Sequence, residues 1–193
     1  IKSKLISRVC SSDEIKGKLM IADLSCGRGG DVMKYLSIKN EVGFLLGLDI
    51  SSNINEAAQR YYYLPKPKPR ALFLQYDTSK SIVNKEGCLG DREICETMID
   101  MILNKSKSFT KKYKDIQKEY SGIVKSGFDV ISSQFSLHYY FKDEETIRGF
   151  CENLRDLCSS GGYFIGTCYD GYKLFETFNS LDSDIIEMKD DFG

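Results

Sequence analysis

Five short apolar runs separated by helix-like stretches constrain this chain more than any other feature. The runs are Leu19–Leu24, Phe44–Asp49, Ala71–Tyr76, Phe128–Ser133 and Tyr163–Cys168. A segment such as Phe44-Leu-Leu-Gly-Leu48 carries no alternating polar residues, which suits a strand buried on both faces of a parallel sheet. Helices are expected over Asp31–Ile38, Ile54–Tyr63, Glu93–Leu103 and Glu144–Cys158. In the last of these Ile147, Phe150, Leu154 and Leu157 recur at helical spacing, and Gly161-Gly162 reads as a stop. This rhythm predicts an α/β fold: an open, doubly wound, mostly parallel sheet with helices on both faces. Ligands of such sheets sit outside the carboxyl ends of the strands. At 193 residues the chain is long enough for one domain with a sizeable core.

Two regions interrupt the rhythm. Pro65-Lys-Pro-Lys-Pro69 cannot be helical and should form an extended connection into the third strand. Residues 104–125 hold seven lysines against Asp115 and Glu119, with Phe109, Tyr113 and Tyr120 interleaved. Such a stretch reads as a solvated helical insertion, with a backbone-tracking RNA patch as the alternative. The formal net charge of −1 provides no global basic field, so any nucleic-acid surface has to be local. No run of about 18 apolar residues suggests a membrane span, and no signal-peptide pattern is present. Seven cysteines, none in a Cys-x-x-Cys pair, together with a single histidine argue against a metal site and for a reducing intracellular compartment. Cys151 and Cys158, one heptad apart, read as core packing.

Between the first strand and the first crossover helix lies Asp23-Leu-Ser-Cys-Gly-Arg-Gly-Gly-Asp31. A strand, a glycine loop and a helix in that order form a pocket for a nucleotide-like cofactor, although a structural strand–helix turn has the same appearance. Asp31 at the helix start would repel a pyrophosphate. It suits a ligand that carries an amino group and a sulfonium, so S-adenosylmethionine fits better than a dinucleotide. Asp49 ends the second strand, where a carboxylate can accept from both ribose hydroxyls; Asp77 follows the third strand and Gln134 the fourth. Each alone could be a turn or capping residue. His138 follows the fourth strand among Phe135, Tyr139, Tyr140 and Phe141, aromatics able to stack on a planar base.

Three segments together resemble the mRNA cap guanine-N7 methyltransferases. They are the glycine loop, Ser133-Gln-Phe-Ser-Leu-His-Tyr139 and Gly161-Gly-Tyr-Phe-Ile-Gly-Thr167, similar to the family's cofactor loop, cap-pocket motif and fifth strand. The opening Ile1-Lys2-Ser3 is similar to the end of the family's Asn-Asn-x-Ile-Lys-Ser segment. The similarity runs from Ile1 to about Leu174, with a Lys-rich insertion at about 80–127. It implies a class I methyltransferase fold that transfers methyl from S-adenosylmethionine to guanine N7 of the 5′ cap.

The resemblance also implies residue roles. Lys2, Asp23, Ser25, Gly27, Asp31, Asp49, Asp77, Gln134 and Tyr139 would surround the cofactor. Arg28, Lys34 and Arg60 would lie near the cap triphosphate and guanosine, and His138 and Tyr139 would position guanine. No acid–base residue and no metal is implied. Ser25 stands where the family often has Gly or Ala, and Arg28 replaces the commoner lysine. The family's Asn pair would precede Ile1, and its final strand pair and an acidic guanine contact would follow Gly193. The reading is thus a single methyltransferase domain over 1–193, incomplete at both ends. The acidic end, Asp182 to Asp191, does not supply the missing contact by its spacing. The partner implied is a capped RNA 5′ end, with a triphosphatase and a guanylyltransferase as possible companions. The setting implied is a eukaryotic nucleus or, for a virus, the cytoplasm. A methyltransferase of another substrate, or a non-catalytic methyltransferase-like subunit, is the alternative.

Overall fold

The computed structural model describes residues 1–105 and 109–180, so the acidic end and Lys107 lie outside the described residues. Five strands, β1 (Leu19–Asp23), β2 (Val42–Asp49), β3 (Arg70–Gln75), β4 (Phe128–Gln134) and β5 (Cys158–Thr167), form one sheet in the order β3-β2-β1-β4-β5. Every adjacent pair is parallel. The helices are α1 (Lys2–Cys10), α2 (Val32–Leu36), α3 (Ile54–Tyr62), α4 (Arg92–Ile102), α5 (Lys114–Tyr120), α6 (Glu144–Leu157) and α7 (Gly171–Asn179).

Alternation along each strand sends side chains to two separate cores, as a parallel sheet covered on both sides requires. Ala22, Phe44, Leu46, Leu48 and Ile131 face α4 and α6, meeting Met98, Ile99, Ile102 and Phe150. Leu19, Ile21, Leu45, Val130 and Ile165 face the other way, onto Ile6 and Cys10 of α1 and Val32 and Tyr35 around α2. Winding therefore runs outward from β1 in both directions, and β1 and β4 are the neighbours at which the strand order reverses. Their loops part at the carboxyl ends, leaving the crevice where such folds bind ligands.

The five strands and four helices expected from sequence are all present, and the sheet is wholly parallel. Helix α1 was not among those expected, because its polar sequence buries only Ile6 and Cys10. The last crossover helix stops at Leu157, not Cys158: the chain pairs at once with β4, Cys158 opposite Phe128. Gly161-Gly162 then lie within a bulge of β5 instead of ending the helix. Cys151 is exposed, so its heptad spacing from Cys158 marks no buried pair. The Lys-rich stretch is helical in part, and its lysines among the described residues are exposed, as expected for a solvated segment. Its aromatics do not: Tyr113 is buried, and Phe109 and Tyr120 pack on the core, Tyr120 meeting Phe44 edge-to-face at 6.0 Å. These rings cover the sheet, and Tyr120 also lines a surface groove.

Candidate functional site

A crevice of about 600 Å³ opens at the carboxyl ends of β1 to β4. Ser25, Asp49, Asp77, Gln134 and Tyr139 line it, from four separate segments of sequence. Its size falls in the range of small-molecule sites.

The glycine loop reaches the crevice because Gly27 adopts φ +51°, a left-handed conformation that favours glycine. Its N–H donates to Asp49 Oδ2 at 2.7 Å, so the loop is tied to the end of β2. The other oxygen, Oδ1, accepts from the Ser51 N–H (2.9 Å) and hydroxyl (2.6 Å). Asp77 repeats the turn, accepting from the Ser79 N–H (3.0 Å) and hydroxyl (2.7 Å). Both carboxylates thus act as turn residues and as crevice-lining groups. In each the Oδ1 atom is occupied by two donors, and Oδ2 keeps acceptor capacity for a ligand hydroxyl or amine, with one bond from Gly27 already on Asp49 Oδ2.

A cluster of hydroxyls joins the two loops of the site. Ser25 Oγ hydrogen-bonds Ser133 Oγ at 3.2 Å and also Ser136 Oγ, while Ser133 and Ser136 are 2.9 Å apart. Below them the Tyr140 hydroxyl shares a 2.6 Å bond with Thr78 Oγ1, which itself donates to the Leu24 carbonyl at 2.9 Å. Burial pushes the Tyr140 pKa up to about 12, so this group stays a neutral phenol. The small side chain at position 25 therefore does more than leave room: it fastens the loop after β1 to the loop after β4. Gln134 is fastened as well, with Nε2 donating to Ser132 Oγ (3.0 Å) and Oε1 accepting from Thr167 Oγ1 (3.2 Å). Next to it Phe135 holds φ +58°, rare for a non-glycine residue, with its N–H on Thr167 Oγ1 at 2.9 Å.

Deeper in the fold Asp23 is almost fully buried and accepts from the Tyr35 hydroxyl at 3.0 Å. Burial, then the nearby Asp31 carboxylate, push its pKa up to about 7. Asp31 is itself held between Lys2 (2.9 Å) and Lys34 (2.7 Å), a contact that carries α1 to the start of α2. Its charge is thus matched within the protein, and Asp49 and Asp77 are the carboxylates that line the crevice. Gly27 meets the crevice through Asp49, Lys2 lies 5.1 Å over the ring of Phe135 at its wall, and Asp23 and Asp31 are buried next to the loop.

The basic residues sit elsewhere. Arg28 is exposed and 3.6 Å from Glu56, Lys34 also donates to the Gly30 carbonyl (2.9 Å), and Arg60 lines a neighbouring groove with Gly29 and Gly30. His138 stands at the rim, its ring 4.2 Å from Tyr139 and 5.0 Å from Tyr169, with Nδ1 buried and without a hydrogen-bond partner. Tyr139 is 69% exposed and borders both the crevice and His138.

Sequence reasoning missed Thr78 and Ser136 as site-building residues, and its reading of Tyr140 as a ring free to stack on a base is corrected: Tyr140 is buried, stacked on Phe150 at 4.0 Å with its hydroxyl on Thr78. The sequence had no signal for Asn153 of α6. That buried amide accepts from the Ile82 N–H (2.8 Å) and donates to the Thr78 and Lys80 carbonyls (2.9 Å each), holding the loop that carries Asp77. Gly149, one turn earlier, permits this approach, since a Cβ there would overlap the Ser79 carbonyl.

Comparison with known proteins matches residues 1–191 to the mRNA (guanine-N(7))-methyltransferase domain. A protein of Acanthamoeba polyphaga mimivirus named "Probable mRNA-capping enzyme" is 31% identical over 179 residues, covering 89% of this chain and 13% of the viral protein. The mRNA cap guanine-N(7) methyltransferase of Aspergillus niger is 31% identical over 178 residues, 87% of this chain and 27% of the fungal protein. The chain therefore spans well under a third of the length of either relative. Among solved structures, an S-adenosylmethionine-dependent methyltransferase from Clostridium acetobutylicum superposes with TM-score 0.53 at 19% identity, over 98% of this chain and 56% of that one. That likeness concerns the fold alone.

Proposed function

The chain belongs to the mRNA (guanine-N(7))-methyltransferase family, and from that membership we propose that it methylates guanine N7 of the RNA 5′ cap. The observation that carries the reading is the hydroxyl cluster of Ser25, Ser133 and Ser136, which joins the cofactor-loop motif and the His138-Tyr139 motif in one crevice. A site of this kind has to hold a methyl donor and a base side by side.

The crevice suits S-adenosylmethionine, because carboxylates at the ends of two strands face a ligand with a positive charge and a ribose. When bound, that cofactor supplies an electrophilic methyl group on a sulfonium. Asp49 accepts from the ribose hydroxyls, its orientation fixed by Gly27 and Ser51. Asp77, Gln134 and Tyr139 complete the cofactor wall, and Lys2, Asp23 and Asp31 support the loop.

Guanine N7 presents a lone pair and carries no proton, so no residue has to act as a general base. His138 and Tyr139 orient the base, and Arg28, Lys34 and Arg60 meet the triphosphate and guanosine. Rate then comes from alignment and electrostatics, and orientation alone supplies about 7–11 kcal/mol in favourable cases.

The partner in this reading is a capped RNA 5′ end, with a triphosphatase and a guanylyltransferase acting before it. The seven unpaired thiols support a reducing intracellular compartment, nuclear in a eukaryote or cytoplasmic for a virus. No helix among the described residues is long and apolar enough to cross a membrane.

The test is methyl transfer from labelled S-adenosylmethionine to GpppA-capped RNA, with uncapped RNA and N7-methylated cap as controls. Product with the unmethylated cap alone is expected. Cofactor binding without product on any cap would overturn the assignment.

A further inference from the structure

Residues 60–70, Arg-Tyr-Tyr-Tyr-Leu-Pro-Lys-Pro-Lys-Pro-Arg, contain four cations and no acid in a chain whose net charge is −1. They run from the last turn of α3 through the proline segment into β3. Among the described residues, Arg60, Lys66, Lys68 and Arg70 form no ion pair with a carboxylate. Lys68 is instead fixed on the carbonyls of Tyr61 (2.7 Å) and Tyr62 (2.6 Å), and Arg70 donates to the Glu119 carbonyl. These contacts hold the positive charges in place without neutralising them. Tyr62 and Tyr63, 74% and 80% exposed, stand edge-to-face beside them at 5.4 Å.

Three grooves join along this segment. The first, about 450 Å³, lies between Gly29-Gly30 of the glycine loop and Arg60 and Tyr63. It shares Met33 and Leu64 with a second groove of about 580 Å³, flanked by Lys18, Lys39 and Lys68. The second shares residues 67–70 with a third, about 650 Å³, closed by Tyr61 and Tyr120. Glu41, paired to Lys18, is the one carboxylate among the described residues lining them. A track of spaced cations and exposed rings, leading away from the cofactor loop, matches the two recurring needs of an unpaired polynucleotide. Its phosphates require positive charge and its bases accept flat aromatic faces. Proline fixes the backbone between the lysines, so little ordering is left for binding to impose.

We propose that this track binds single-stranded RNA: the nucleotides that follow the cap, running from Arg60 towards Arg70. The inference rests on the cap-methylation reading for the identity of the ligand's 5′ end, while the track itself is argued from its own residues.

The test compares binding of GpppA, a capped oligonucleotide and the same oligonucleotide uncapped, by competition in fluorescence anisotropy. The variants are K66E/K68E, K66R/K68R and Tyr63→Ala. The capped oligonucleotide should bind wild type about ten-fold tighter than GpppA, and K66E/K68E should abolish that gain, losing two phosphate contacts and about 1.4 from the salt slope. GpppA and S-adenosylmethionine should bind both double variants as they bind wild type, and K66R/K68R should retain the RNA gain. Tyr63→Ala should lose about five-fold in RNA affinity with the salt slope unchanged.

An RNA body that adds no affinity in wild type, or undiminished RNA binding by K66E/K68E, overturns the proposal and leaves an acidic protein segment as the ligand of the patch. Equal binding of capped and uncapped RNA, both weakened in K66E/K68E, would keep the track and refute the cap reading.

Discussion

Replacing Asp23 by Asn should change the pH dependence of stability in a calculable way. Asp23 ends β1 with only 3% of its surface exposed. Burial first, and the Asp31 carboxylate second, raise its pKa from 3.8 to about 7. The folded state therefore holds the proton over about three pH units in which the unfolded chain has released it. The associated stabilisation is fully present below pH 3.8 and is lost as the pH rises through about 7. At 1.36 kcal/mol per pH unit the loss comes to about 4 kcal/mol. Asn keeps the shape and an oxygen for the Tyr35 hydroxyl but cannot ionise.

Urea denaturation of both proteins at a series of pH values, taken as a difference so that other titrating groups cancel, should show Asp23→Asn gaining on wild type. The gain should be about 1.4 kcal/mol per pH unit between the two pKa values and level off above about 7. A difference independent of pH would refute the argument. A difference of opposite slope would mean that the folded state stabilises the ionised carboxylate.

Gly149→Ala reverses the usual sign of a helix substitution. Alanine in a free helix gains up to about 1 kcal/mol, but here overlap with the Ser79 carbonyl should cost more, for a net destabilisation of about 2 kcal/mol in urea denaturation. A stabilised variant would show that α6 does not seat the Asp77 loop. Asp49→Ala should weaken S-adenosylmethionine binding by about 10- to 100-fold in calorimetric titration, the loss of a charged acceptor; unchanged affinity would sink the ribose assignment. His138→Ala should lower methylation of capped RNA by about 100-fold while cofactor affinity stays put, as expected for misplacing the base. Loss of cofactor binding with an intact cap site would remove His138 from that role.

The sequence by itself determined the elements and their order. Short uninterrupted apolar runs such as Phe44–Leu48 suit strands buried on both faces, and the 3.6-residue recurrence of Ile147, Phe150, Leu154 and Leu157 suits a helix buried on one side. It also marked the strand-end residues Asp49, Asp77 and Gln134, because position at the carboxyl end of a parallel strand is a local property.

Side-chain pairing across the fold was beyond that kind of reading. Lys2 and Asp31 are 29 residues apart and meet because α1 lies against α2. Ser25 and Ser136 meet because β4 returns beside β1. The same geometry turned Phe109, Tyr113 and Tyr120 inward from a stretch whose composition suggested a solvated surface, and drew Cys158 out of its helix into β5. Periodicity reports which face of one element is buried. Only the register and packing between elements decide which two side chains share a hydrogen bond, and the candidate site is built from such pairs.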